Sequence, residues 1–167
     1  NYVFLNIEVP ENGSSVLKID FKKEGVVIQT VNYEFKERQA DKGNQKGFNS
    51  SDVVYLLMPD RFANGDTLND SNDDMLEKAN RTAPSGRHGG DIQGIINHLG
   101  YFNELGVTSL WINPLLENNQ KKYTYHGYAI TDFYRIDPRF GNNQLYKKLV
   151  SEAHQKGLKV IMDVVLN

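Results

Sequence analysis

Two patterns of apolar positions divide the chain. Residues 1 to about 37 read as strands, with apolar and polar residues alternating in two runs. Leu17, Ile19 and Phe21 alternate with Lys18 and Asp20, and Val31, Tyr33 and Phe35 with Asn32 and Glu34. Such alternation predicts strands with one face on a core and the other in water. Asn12-Gly13 is predicted as a hairpin turn, because both residues accept positive φ. A few strands alone are marginal, so residues 1–38 read as the C-terminal part of an all-β sandwich domain. Residues 39–51, QADKGNQKGFNSS, are polar and glycine-containing, and read as a linker.

From Asp52 the pattern changes. Val53 to Met58 is a short continuous apolar run, as in a strand buried on both faces. Asp91 is placed to cap a helix carrying Ile92, Ile95, Ile96, Leu99, Phe102 and Leu105 as one apolar stripe, with Gly106 ending it. A second strand covers Val107 to Ile112. A second helix presents Leu145, Leu149, Val150 and Ala153, Gly157 ends it, and Leu158 to Val165 is a third strand. Strands alternating with helices predict a parallel sheet. The segments after the strands are long, 59–90 and 113–141, and those before them about one residue. That asymmetry predicts an α/β fold, with residues 52–167 as the first three strands of an incomplete (β/α)8 TIM barrel. A doubly wound open sheet is the runner-up, but it asks for a glycine-rich phosphate turn after the first strand, where this chain has Pro59-Asp60-Arg61-Phe62.

Composition removes several kinds of function. Apolar residues make up 39% and charged residues 24%, as in a globular protein. A net charge of −2 with no basic block gives no reason to expect nucleic acid. The chain has no cysteine, which excludes disulfides, thiolate catalysis and cysteine-based zinc sites. No apolar run is long enough to cross a membrane.

Three clusters could carry chemistry. The loop after the first strand holds Asn64, Asp66, Asn69 and Asp70, then Asn72, Asp73 and Asp74, with Gly89 and Asp91 at its far end. Hard oxygen donors at this density suit Ca²⁺, although a solvated loop of Asx turns has the same composition and is the more ordinary reading. Tyr125, His126 and Tyr128 would give a sugar ring a flat apolar face with hydrogen-bonding edges. His126 could donate to a hydroxyl or merely brace its loop. Asp163 ends the third strand, where a barrel keeps its functional carboxylates. Asp60 and Asp132 are the other acids expected near the mouth, neither with an evident partner. His98 and His154 are expected on helices facing solvent, and Trp111 in the core. Glycoside hydrolysis needs two carboxylates flanking the scissile bond, and no convincing pair is present.

Six segments in order resemble the α-amylase family, glycoside hydrolase family thirteen, and within it the neopullulanase and cyclomaltodextrinase group. They are DVVYLLMPDRFANGD at 52–66, HGGDIQG at 88–94, LGVTSLWINP at 105–114, YHGY at 125–128, TDFYRIDP at 131–138 and GLKVIMDVVLN at 157–167. The resemblance implies a structural Ca²⁺ held by Asn64, Asp66, Asn69, Asp70, Asp91 and the Gly89 carbonyl, and a weaker second site at Asn167. It implies that Tyr128 stacks on the sugar at the cleavage subsite beside His126, and that Asp163 supports the catalytic cluster without attacking substrate. It also implies retention through a covalent glycosyl-aspartate, with carboxyls roughly 5–5.5 Å apart. In the family the nucleophile and the acid/base lie on later strands, so the chain is expected to be an inactive front part of its parent.

The expected parent is an α-1,4-glucan hydrolase acting on starch, pullulan or cyclodextrins, periplasmic or extracellular, and able to form a homodimer. The partners expected of the chain are an α-glucan oligosaccharide and the rest of its own barrel. The alternative is a family member without catalytic acids that only binds α-glucan.

Overall fold

The computed structural model describes residue 7, residues 16–35 and residues 47–166. The Asn12-Gly13 turn, Asn167 and most of the 39–51 segment lie outside these residues. The chain divides into two compact units, Asn1–Gly47 and Phe48–Asn167, with the boundary inside that segment.

In the first unit, β1 (Val16–Lys23) pairs antiparallel with β2 (Val26–Glu34), bringing Leu17 opposite Tyr33 and Ile19 opposite Val31. The turn is Glu24-Gly25. Glu24 takes φ +53 and Gly25 φ +83, and a glutamate does not advertise that conformation. Val26, Ile28 and Tyr33 are exposed. Among the described residues this unit holds one hairpin and no second sheet.

The second unit runs β3 (Val54–Leu57), α1 (Pro59–Phe62), α2 (Ile92–Asn97), α3 (Leu99–Glu104) and β4 (Ser109–Ile112). It continues with β5 (Leu116–Glu117), β6 (Asp132–Ile136), α4 (Asn143–Gln155) and β7 (Lys159–Met162). β3, β4 and β7 form a parallel sheet in that order. Asp91 caps α2, its side chain accepting from Gly94 N at 2.6 Å, and Asn142 caps α4 through Leu145 N. The expected single helix after Asp91 is instead two. His98 Nδ1 donates to the Gly94 carbonyl at 2.7 Å, and the His98 N–H turns to Ile95 O, so the ladder breaks there. His98 therefore sits at the junction of α2 and α3 rather than within a helix. The apolar stripe survives the break: Ile92, Ile95, Leu99 and Phe102 pack with Leu57, Leu110, Ile112, Leu149, Ala153 and Leu158 into one core.

That core covers only one face of the sheet. Val54, Leu56 and Trp111 point the other way and are 46%, 60% and 42% exposed. The expectation of a strand buried on both faces fails for β3, because a barrel interior is filled by side chains from opposing strands and three adjacent strands have no opposing wall. Trp111, expected in the core, is on this same face and outside the core formed by the described residues.

The edge where the strands begin is closed by a clasp. Lys159 Nζ donates to both Asp52 carboxylate oxygens at 2.8 and 2.6 Å, and Thr108 Oγ1 donates to Asp52 at 2.9 Å. The hydrogen bond from Lys159 first, then the Asn49 N–H, pull the Asp52 carboxyl down to about 2.

Candidate functional site

At the opposite edge the long loops meet. Parallel register puts the C-termini of β3, β4 and β7 side by side. The loop after β3 carries the oxygen-rich segment, the loop after β4 carries Tyr125 to Tyr128, and Asp163 follows β7 directly.

Asp163 is the meeting point. Its Oδ2 accepts from the Tyr128 hydroxyl at 2.8 Å and from Trp111 Nε1 at 3.0 Å. Burial first, and then the Asp163 hydrogen bond and charge, push the Tyr128 phenol above its ordinary value. The His126 and Tyr128 rings lie 5.8 Å apart and near parallel at 29°. His126 Nδ1 accepts from the Tyr128 N–H at 2.9 Å. A backbone N–H can only donate, so in the neutral ring the proton sits on Nε2. His126 thus braces its loop with one nitrogen and keeps a donor on the other.

Tyr125 departs from the expected flat face. Its ring is inclined 73° to His126, and the Arg61 guanidinium lies 4.2 Å over it. The open platform is therefore His126 with Tyr128. Gly127 makes it possible, with φ +83 and so close an approach to β4's end that a Cβ would lie 2.1 Å from the Pro114 carbonyl oxygen.

A buried polar frame joins this turn to the loop after β3. Asp137 and Arg139, both fully buried, pair through Nη2 to Oδ2 at 2.7 Å and Nε to Oδ1 at 2.9 Å. Burial opposes the Asp137 charge, but the hydrogen bond from Arg139 and the charges of Arg87 and Arg139 outweigh it and hold the carboxyl below its usual value. Arg87, also fully buried, stacks 4.5 Å from the Phe140 ring and donates to Thr124 Oγ1 at 3.1 Å. Burial lowers its guanidinium to about 10, against the pull of Asp137. Glu77 accepts from the Tyr123 and Thr124 N–H groups. Two acids expected free at the mouth have structural partners. Asp60 is buried, pairs with Arg61 and accepts from His88 N, while Asp132 accepts from Tyr134 N. The 113–141 segment also contains the β5–β6 pair, which period-two reading passed over.

The oxygen-rich loop folds on Asp91. One carboxylate oxygen accepts from Gly65 N and Gly94 N, the other from Asp66 N and Asn69 Nδ2. Asn64 Nδ2 donates to Asp70 at 2.6 Å, and a Cβ on Gly89 would lie 2.4 Å from that same Asp70 oxygen. The Asn64 and Asn69 amide oxygens are buried and have no hydrogen-bond partner among the described residues. An orphaned buried oxygen is costly, and two in one cradle suit a hard cation. Among the described residues no three His, Cys, Asp or Glu side chains form a metal cluster. Amide and carbonyl oxygens would have to complete a ligand set here.

A family model described as alpha amylase, catalytic domain, matches residues 56–167. The chain belongs to the α-amylase family. A cyclomaltodextrinase of Bacillus sp. is 40% identical over 69% of the chain, which covers 20% of that relative. Neopullulanase 2 of Thermoactinomyces vulgaris is 40% identical over 69% of the chain and 19% of its own length. The chain thus spans about a fifth of these relatives. Among solved structures, an Anoxybacillus α-amylase is 42% identical with a TM-score of 0.62, over 70% of this chain and 24% of that one. The α-amylase of Geobacillus thermoleovorans, complexed with acarbose, is 38% identical with a TM-score of 0.55, over 67% and 22%. The second unit is accordingly an incomplete (β/α)8 barrel of the α-amylase family, with β3, β4 and β7 as three of its strands. The doubly wound alternative is set aside.

Proposed function

We propose that this chain forms part of a retaining α-glucan hydrolase of the neopullulanase, cyclomaltodextrinase or α-amylase type, acting on α-1,4 bonds. The observation that carries the reading is Asp163 at the end of β7, held by the Tyr128 hydroxyl beside the His126–Tyr128 platform. In this reading a pyranose stacks on Tyr128, His126 Nε2 donates to a sugar hydroxyl, and Asp163 orients Tyr128 and the cluster around it. Asp163 is a supporting residue. The nucleophilic and acid/base carboxylates belong to strands other than the three described.

The oxygen-rich loop would hold Ca²⁺ through Asn64, Asp66, Asn69, Asp70, Asp91 and the Gly89 carbonyl. Asp91 already accepts four N–H donors, so the two orphaned amide oxygens are the stronger support. A cation there would cross-link the loop and supply no reaction step.

The test is reducing-sugar release from soluble starch and maltooligosaccharides by the full-length protein. Hydrolysis that falls at least about tenfold in Tyr128→Ala, the loss of one aromatic stacking contact, is the expected result. Glucan binding without hydrolysis would instead establish the binding-only alternative. In the same preparation, calcium should raise the thermal midpoint by mass action, and Asp66→Ala should shrink that rise. A calcium response left intact by Asp66→Ala would remove Asp66 from the ligand set.

A further inference from the structure

The turn carrying the platform is anchored from a distance. Its first two N–H groups are taken by one carboxylate of the loop after β3: Glu77 Oε1 accepts from Tyr123 at 3.2 Å and Oε2 from Thr124 at 2.7 Å. Tyr123 sits at φ +62, a left-handed conformation that L side chains disfavour and that needs an external hold. Glu77 is itself fixed, because Arg139 Nη1 donates to its carbonyl at 2.8 Å, and Arg139 is locked in the buried pair with Asp137. Downstream, Thr124 leads into Tyr125 and His126, His126 accepts from the Tyr128 N–H, and Tyr128 donates to Asp163. A continuous line of hydrogen bonds and short turns runs from Glu77 to the strand-end carboxylate.

We propose that Glu77 is a positioning residue for glucan binding: its carboxylate holds the Tyr123–Thr124 turn so that the His126–Tyr128 platform faces the sugar. The proposal rests on the functional reading above. Glu77 acts through the turn. Arg87 separately holds Thr124 through its hydroxyl and carbonyl oxygens, so removing Glu77 loosens the platform without dismantling it. Two backbone hydrogen bonds to a charged acceptor are at stake, enough for a change of about tenfold.

The experiment is a double-substitution cycle in the full-length enzyme, with KM and kcat measured on maltohexaose and the thermal midpoint recorded alongside. Glu77→Ala is expected to raise KM about tenfold, with kcat changing less. Glu77→Gln, which keeps the volume and one acceptor, is expected to raise it about threefold. In a Tyr128→Ala background, the effect of Glu77→Ala on KM should shrink to about threefold or less, because only His126 is left for it to position. If Tyr128→Ala raises KM but Glu77→Ala does not, the proposal is overturned while the functional reading stands. Equal effects of Glu77→Ala in both backgrounds, with only a lower midpoint to explain them, also overturn it. A Tyr128→Ala enzyme with unchanged KM removes the platform and the proposal together. Should Glu77→Ala fail to fold, Glu77→Gln carries the same cycle.

Discussion

The two edges of the parallel sheet are built from the same three strands and have opposite characters. Where the strands begin, the helix-to-strand connections are three or four residues long, and Asp52, Thr108 and Lys159 close a clasp. Where the strands end, loops of some thirty residues carry a tyrosine ring with a histidine, set beside the Asp163 carboxylate, and an oxygen-rich cradle. There some groups keep capacity to spare. Among the described residues, His126 Nε2 and the Asn64 and Asn69 amide oxygens have no hydrogen-bond partner, and Tyr128 is 39% exposed. The contrast shows what separates a structural polar cluster from a binding one. Both are hydrogen-bonded, but the rim also offers an exposed ring at Tyr128 with a donor on His126 beside it, and the clasp offers neither.

The largest expected effect falls on the rim. Gly127→Ala combines a left-handed φ with a Cβ driven against the Pro114 carbonyl oxygen, so the turn must move. Misplacing a positioned group by about 1 Å can cost about 100-fold in rate. The full-length enzyme should lose activity on that scale while the core of α2, α3 and α4 stays folded, as circular dichroism would report. Retained activity would mean that the platform tolerates displacement and is no platform.

The smallest effect falls on the clasp. Asp52 has a folded value of about 2 against an ordinary 3.8. A carboxyl lowered by folding contributes stability that is fully present above its unfolded value and is lost as pH falls through the folded one. Asp52→Asn should therefore lower the thermal midpoint at neutral pH and flatten the stability loss between about pH 4 and pH 2. Turnover per folded molecule should not change. An Asp52→Asn enzyme of normal stability and impaired turnover would erase the distinction between the two edges.

Much of this division was legible in the residues. The strand-end aspartate, the YHGY segment and the Asp91 cap each rest on a local signal: an apolar run ending in Asp163, an aromatic pair around His-Gly, an acidic residue before an apolar helical stripe. Four features were not legible, each for a physical reason. Trp111 reads as core because an apolar strand residue looks the same whether or not an opposing wall covers it. The break at His98 comes from one side chain taking a carbonyl that the helix ladder would use. The Glu77 clamp and the Asp137–Arg139–Arg87 frame join residues far apart in the chain, and no periodicity marks a buried charge. The hairpin turn was missed because Glu24 adopts a conformation its residue type disfavours.

The most direct measurement is a crystal structure of the full-length enzyme with a maltooligosaccharide bound. The account predicts a pyranose ring stacked on Tyr128, with one of its hydroxyls within about 2.6–3.2 Å of His126 Nε2 and the Tyr128–Asp163 hydrogen bond intact. A sugar bound elsewhere, with the His126–Tyr128 surface bare, would contradict it.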